Sequence, residues 1–405
     1  MIWELRELGD ICEIARGGSP RPIQEFITNA PSGVNWIKIS DATASGKYIY
    51  STKEKITQAG VQRSRMVNEG DFILSNSMSF GRPYIMKTSG CIHDGWLVLS
   101  DKKHVFDQDY LYYFLGSDIA YRQFDSLAAG STVRNLNIES AKKVKVPLPP
   151  IAEQKRIAAI LDEAFAGIAA ATANAEKNLA NARELFEGFL NSALSQRTTS
   201  WIDLRFSEFA TISYGYTEKA TFEEIGPKFL RITDIQEDGV DWDTVPTCPI
   251  GDADFKRHRL LDGDIVFART GATTGKSYII ATPPPAVAAS YLIRCRLNKS
   301  YMLPSYVALY FQSDQYWEHV ARGTTGSAQG GFNASKLAGL VIPIPTFSEQ
   351  KKLVEKFDYL KTEIGRLETI YRQKLDALID LKQAILQKAF SGELTGAKNR
   401  HSEAA

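Results

Sequence analysis

The run RTGATTGKS over residues 269–277 carries the residue types of a phosphate-binding loop: glycines that let main-chain N–H groups close on an anion, then lysine and serine. Its spacing fails. Three residues separate Gly271 from Gly275 where the Walker pattern needs four, and the matching run NSMSFGR over 76–82 lacks the lysine and the Ser/Thr. The segment TPPPA over 282–286 lacks the Asn or Asp that an adenine-methylating Asn-Pro-Pro-aromatic motif sets against the base amine. A methyl-donor or dinucleotide site would need a Gly-rich turn after the first strand of an α/β unit, and none is present. Five histidines are scattered, and no Ser-His-Asp set or acidic pair stands out. Cys12, Cys91, Cys248 and Cys295 lie far apart without a C-x-x-C pair, which points to reduced, half-buried thiols rather than metal ligands or disulfides. The chain reads as a non-enzyme with no metal or cofactor of its own.

What remains is charge placed locally. Over 405 residues the net charge is only +1, so bulk charge does not coat a polyanion. Yet residues 201–250 carry four basic and ten acidic side chains, whereas 251–300 carry eight basic and four acidic. The second stretch holds Lys256, Arg257, His258 and Arg259 in a row, then Arg269 and Lys276. The start MIWELRE has no apolar signal core and no run of 18 apolar residues occurs, so a cytoplasmic protein without a membrane span is expected.

The framework that carries these groups occurs twice. PLPPIAEQKRIAAILD over 147–162 returns 196 positions later as PIPTFSEQKKLVEKFD over 343–358. Each opens a long helix. In the first, apolar or small residues at Ile157, Leu161, Ala164, Ile168, Ala171, Ala175, Ala182, Leu185 and Phe189 alternate at 4-3 spacing, a coiled-coil seam. In the second, Leu353, Phe357, Leu360, Ile364, Leu367, Tyr371, Leu378, Leu381 and Ile385 repeat the phase. The shared polar positions Asn178 and Lys374 are expected to face one another and set the register. The first helix ends near Ser195 and the next globular segment leads directly into the second helix, so the pair is predicted to be antiparallel. About 40 residues at 1.5 Å rise make a spacer of roughly 60 Å. Thr346 and Glu349 fit a capping box at the second helix.

The repeat extends into the globular parts. LGDICEIARG over 8–17 matches FSEFATISYG over 206–215, WIKISD over 36–41 matches FLRITD over 229–234, and GDFILS from Gly70 matches GDIVFA from Gly263. These read as short strands, including Ile37 to Ile39, with Asp41 and Asp234 in turns. One helix follows in each half, DYLYYFLGSD over 109–118 and SYVALYFQSD over 305–314, its aromatic stripe with Tyr121 and Trp317 expected in the core. The fold class is α+β: two homologous globular domains separated by an antiparallel two-helix coiled coil, with a pseudo-two-fold internal repeat. The expected segments are 1–146 and 198–342 for the domains, 147–197 and 343–395 for the helices, and a disordered tail over 396–405. Two diverged domains on a rigid rod suit a ligand with two separated, unlike sites, and B-form DNA is such a ligand. A coiled-coil adaptor that binds only proteins is the alternative, and a self-sufficient DNA methyltransferase lacks any donor-binding motif.

PLPPIAEQKRI from Pro147, PIPTFSEQKKL from Pro343, LKQAILQKAFSGEL from Leu381 and the paired G-D-[F/I]-[I/V]-[L/F] strands resemble the specificity subunit of type I restriction-modification systems. The likeness covers nearly the whole chain. It implies two target-recognition domains, each reading one half of a bipartite, asymmetric double-stranded DNA sequence, and a coil that docks two methyltransferase (modification) subunits. Restriction and translocase subunits join through them. S-adenosylmethionine and ATP would belong to those partners, and the subunit itself would be non-catalytic.

Candidates for DNA contact are loop residues with suitable donors. Arginine grips guanine O6 and N7 with two bonds, and lysine or Ser/Thr holds phosphates. In the first domain they are Arg16, Lys38, Arg63, Arg65, Asn76, Ser79, Arg82, Arg134 and Asn135. In the second they are Tyr216, Arg231, Lys256, Arg257, Arg259, Arg269, Thr273, Thr274 and Lys276.

Overall fold

The computed structural model describes residues 3–76, 81–128, 136–236, 239–271, 273–324 and 332–396. Its contacts divide the chain into two units, residues 1–175 with 373–405, and residues 176–372. Each unit thus holds one globular domain and a segment of each long helix.

In the first unit, strands Glu13–Arg16, Trp96–Ser100, Phe72–Ser75 and Pro83–Met86 form an antiparallel sheet extended by the parallel strand Tyr48–Ile49. A second five-stranded sheet places Val34–Ile37 parallel to Gly90–Ile92. The second unit repeats the plan with fewer strands. Ala210–Tyr214, Leu292–Leu297, Ile265–Ala268 and Ser277–Ile279 make an antiparallel sheet, and Lys228–Leu230 lies parallel to Ala286–Ala288. Leu5–Glu7 pairs with Lys145–Pro147, and Ile202–Arg205 with Val341–Ile344, so each domain closes on the strand that feeds its helix.

Three local expectations need correction. Ile39 does not continue the strand before it. It opens the helix Ile39–Ser45, because the Asp41 carboxylate reaches back to accept from the Lys38 N–H (3.0 Å) and nucleates a turn. The single helix expected after the sheet is two, Gln108–Leu115 with Asp118–Ala128, and Pro304–Tyr310 with Asp314–Thr324. The buried hydroxyls of Ser117 and Ser313 break them, donating to Phe114 O and Tyr310 O (both 2.6 Å) while accepting from the next helix. This break turns Tyr121 and Trp317 outward and leaves Phe124 and Tyr316 as the buried rings. The four cysteines are fully rather than half buried. Burial pushes the Cys12 thiol up to about 12 and Cys248 to about 11.

The long helices are Ile151–Ser195 and Phe347–Ser391. In the first unit Ile157, Ala158 and Leu161 pack with Leu386, Ala389 and Phe390, and Lys382 lies over the Phe165 ring. In the second, Leu190 and Leu194 pack with Phe357, and Arg183 pairs with Glu368. Ascending numbers on one helix meet descending numbers on the other, so in each unit the pair is antiparallel, as predicted. Each pair is also seated in its domain, with Tyr110 and Phe114 edge-on to Phe390, and Phe206 in the same core as Leu190.

The seam differs from its predicted path. Leu185 and Phe189 are 56% and 48% exposed, while Leu190 and Leu194 are 1% and 2% exposed. The symmetric shift occurs in the second helix, where Leu381 is exposed and Leu386 and Phe390 are buried. A straight α-helix drifts by about 20° per heptad against a strict heptad, and over about five heptads the buried stripe moves by one residue. Asn178 and Lys374 consequently stand exposed, with Leu179 and Leu375 half-buried in their place. The two polar residues lie on the outer surface and set no register in the seam. By length and composition alone the first helix, with an 18-residue window of mean hydropathy 1.3, is apolar enough to cross a membrane, although it contains no run of 18 apolar residues. Its largest inward residues, however, are buried in protein.

The E-Q-K run of each repeat has a structural meaning. Gln154 is buried, accepts from Asp107 N (2.8 Å), and donates to Val105 O (3.0 Å) and Pro149 O (2.9 Å). Gln350 does the same with Leu303 N, Tyr301 O and Pro345 O at 2.9, 3.0 and 3.1 Å. Tyr110 and Tyr306 hydroxyls complete each junction by donating to Pro147 O (2.8 Å) and Pro343 O (2.5 Å). The capping box forms as expected, Thr346 N donating to Glu349 (3.0 Å) and Glu349 N to Thr346 (3.4 Å). Beyond Ser391, the short helix Glu393–Gly396 replaces the start of the expected tail, and 397–405 lie outside the described residues.

Candidate nucleic-acid interface

In the first domain four loop segments are tied together by main-chain bonds. Gly17 N donates to Trp96 O (2.9 Å), Gly18 N to Ile92 O (3.0 Å), Asn76 N to Gly95 O (3.0 Å), and Leu136 N to Asn76 O (3.0 Å). The approach is close enough to require glycine, since a Cβ on Gly17 would sit 2.0 Å from His93 O. The second domain builds the same knot. Gly215 N donates to Leu292 O (2.9 Å), Tyr216 N to Ala288 O (2.7 Å), Arg269 N to Tyr291 O (3.2 Å), and Phe332 N to Arg269 O (3.1 Å). A Cβ on Gly215 would lie 2.1 Å from Ala289 O. One frame therefore carries two unlike sets of side chains.

Around the first knot the Asp94 main-chain oxygen accepts from Arg16 Nε (2.9 Å) and Asn76 Nδ2 (2.8 Å). Its carboxylate takes the Ser19 hydroxyl (2.7 Å) and Arg21 Nη2 (3.2 Å). The Ser19 bond leads the groups that hold the Asp94 carboxyl below its usual range, whereas burial pushes the adjacent His93 down. Arg63 and Arg65 flank the knot, Arg63 over the Phe26 ring (5.4 Å) and Arg65 Nε donating to Arg16 O (3.4 Å). Among the predicted contacts, Asn76 is buried, and its carboxamide braces the loop rather than facing solvent. Lys38 is paired with Glu54 (2.6 Å), and Arg82 covers the Tyr84 ring (5.3 Å). Ser79, Arg134 and Asn135 lie outside the described residues.

The second domain groups its candidates differently. Arg269 lies over the Tyr214 ring (5.0 Å), and Tyr216 lies 5.5 Å from the His258 ring. Lys256, Arg257 and His258 form the last turn of the helix Asp252–His258, where the lysine and arginine cations face the negative helix end, and Arg259 follows. This basic segment is held from inside. Arg294, 7% exposed, donates from Nη1 to both Arg257 O and Arg259 O (3.0 Å each), and Arg296 bridges Arg259 O (2.9 Å) to Asp264 (2.7 Å). Sequence reasoning missed both arginines. The strand LIRCRL alternates Arg294 and Arg296 against Ile293, Cys295 and Leu297, a pattern that marks a polar face. Arg231 is engaged by Asp234 (2.6 Å). The phosphate-loop lookalike is a hairpin turn with Gly271 and Gly275 at positive φ, closed by Thr274 Oγ1 to Gly271 O (2.7 Å) and by Lys276 N to Thr273 O (2.9 Å).

The family model for the type I restriction modification DNA specificity domain matches the chain twice, over residues 2–179 and 202–376. The EcoKI specificity subunit of Escherichia coli K12 is 26% identical over 316 residues, covering 74% of this chain and 68% of its own. The MjaVIII specificity subunit of Methanocaldococcus jannaschii is 23% identical over 412 residues, 97% of this chain and 93% of its own. The fold is shared with a chain solved in work on complex assembly and conformational transition of the type I R-M system (TM-score 0.78, 19% identity, 97% and 98% covered). It is shared also with the HsdS subunit from Thermoanaerobacter tengcongensis (TM-score 0.63, 18% identity, 97% of each chain). With both repeats matched, the chain belongs to the type I restriction-modification specificity subunits, which recognise the target sequence and are non-catalytic.

Proposed function

We propose that each globular domain reads one half of a bipartite, asymmetric double-stranded DNA target, with the knotted loops of each domain as its reading face. The observation that carries this is the duplicated loop frame bearing unlike side chains: one backbone solution, two chemistries. Arg16, Arg63 and Arg65 serve the first half-site, and Lys256, Arg257, Arg259, Arg269 and Lys276 the second. Arginine and lysine at such positions neutralise phosphates and read guanine. The coiled coil sets the half-site spacing and docks two modification subunits, through which restriction subunits join. S-adenosylmethionine and ATP are bound by those partners, and the assembly works in the cytoplasm. Exchanging residues 1–145 for those of a relative, followed by mapping of methylated adenines, is expected to change one half of the target and keep the other. A target that changes throughout, or not at all, would refute the division of labour.

A further inference from the structure

We propose that Asp94 and Arg21 form the base-reading pair of the first domain, Asp94 accepting a hydrogen bond from the exocyclic amine of adenine or cytosine while Arg21 turns to the DNA backbone. This rests on the reading that the first domain contacts one half-site.

The argument begins with what Asp94 costs. A carboxylate on a face that meets DNA is repelled by phosphates, and the only major-groove donors it can meet on base edges are adenine N6 and cytosine N4. Nevertheless the fold fixes it firmly. Arg16 Nε and Asn76 Nδ2 both donate to its main-chain oxygen, Ser19 binds Oδ1, and Gly17 admits the loop that brings Ser19 there. The side chain so restrained is still 44% exposed. An exposed acceptor held by part-buried and main-chain-directed bonds is preorganised for a partner outside the protein.

Arg21 is 81% exposed and makes a single 3.2 Å contact to Oδ2, a pair too open to contribute much stability. It releases Oδ2 at small cost and keeps its own charge for phosphate. Beneath the pair lies a cleft of about 340 Å³ lined by Ile23, Trp36 and His93, whose His93 ring is neutral at neutral pH. The cleft gives a base edge an apolar wall beside the carboxylate. In the second domain the same frame carries Ala289 and Ser290 where the first has His93 and Asp94. The pair is therefore particular to one half-site.

The test uses the full chain assembled with its modification subunits and a panel of DNA targets varied one base at a time. Asp94→Asn retains an acceptor for Ser19 but adds a donor, so discrimination between amine-bearing and carbonyl-bearing bases at one position should fall at least tenfold. The other half-site should be unaffected. Adenine and cytosine at that position, tested separately, identify which amine is read. Asp94→Ser, matching the second domain, guards against a folding defect and should relax the same position. Arg21→Ala should weaken binding across all sequences alike and reduce the salt slope by about one. Unchanged discrimination at every position in both Asp94 variants overturns the proposal. If exchange of residues 1–145 moves no half-site, the broader reading fails; if that exchange succeeds and the Asp94 variants discriminate normally, only the pair is wrong.

Discussion

Replacing Gln154 by leucine tests whether the repeated E-Q-K run is a structural latch. The side chain satisfies three main-chain groups around the entry to the first long helix: Asp107 N–H, Val105 C=O and Pro149 C=O. Leucine has similar volume and leaves all three without that partner in a buried setting. Each intramolecular hydrogen bond is worth about 1 kcal/mol net, and a buried donor left unsatisfied costs about 1–3 kcal/mol. The sum is roughly 3–5 kcal/mol. For a unit of this size that lowers Tm by roughly 6–20 °C. Gln350→Leu should cost the same in the other unit, since its three bonds have the same pattern. The two changes lie in separate units and should add. Gln154→Glu refines the test. Its carboxylate accepts from Asp107 but faces two carbonyl oxygens, so its folded pKa is raised above the unfolded value. Stability is then fullest below the unfolded pKa and is lost as pH rises through the folded one, making the Glu variant more impaired at pH 8 than at pH 5. Thermal and urea unfolding of the full chain read these effects. A leucine variant within about 1 kcal/mol of the parent at either site would refute the latch.

The displaced seam makes a sharp comparison: Leu190→Ala should cost about 2–5 kcal/mol, whereas Leu185→Ala should be close to neutral, and equal losses in urea unfolding would return the seam to its predicted path. The double change Asn178→Leu and Lys374→Leu, at exposed positions, should leave Tm within a few degrees of the parent; a large rise would place those residues back in the seam. Burial lowers the pKa of His93 and His258 below the ordinary 6.5, so the unfolded chain binds more protons near pH 6. Their contribution to stability is complete above 6.5 and lost as pH falls towards the folded values. Urea midpoints should accordingly drop between pH 7.5 and 5.5, and His93→Asn, which keeps an acceptor for Gly95 N–H, should reduce the drop; a midpoint that rises on acidification contradicts this.

Much of the architecture was legible because the chain states it twice. The offset of 196 between the Pro-rich runs and the shared helical phase announced two domains and an antiparallel coil. Thr346 with Glu349 named its own capping box, because that bond pattern is local. Errors arose where a residue's partner is remote. The strict 3.5-residue reading left the buried face because it takes no account of the helix's drift, and nothing local reveals that Leu190 and Leu194, rather than Leu185 and Phe189, meet Phe206 and Phe357. The helix break at Ser117 and Ser313 is the exception, since their partners lie three residues away and a serine there suits a continuing helix as well as a cap.

The site shows the same division. Donor types and loop placement singled out Arg16, Arg269 and the basic run at Lys256. Their neighbours did not declare themselves. Nothing local marks Asp94, and only the close approach at Gly17 brings Ser19, Arg16 and Asn76 around it from far along the chain. Nothing local marks Arg294 either, and only the strand pairing turns it inward beneath Arg257 and Arg259. Periodicity, caps and repetition are written in neighbouring residues, so the duplicated α+β plan and its helical spacer can be read without coordinates. Which polar groups are spent holding the loops, and which are left facing outward, depends on contacts across tens to hundreds of residues, and the tertiary structure alone decided that.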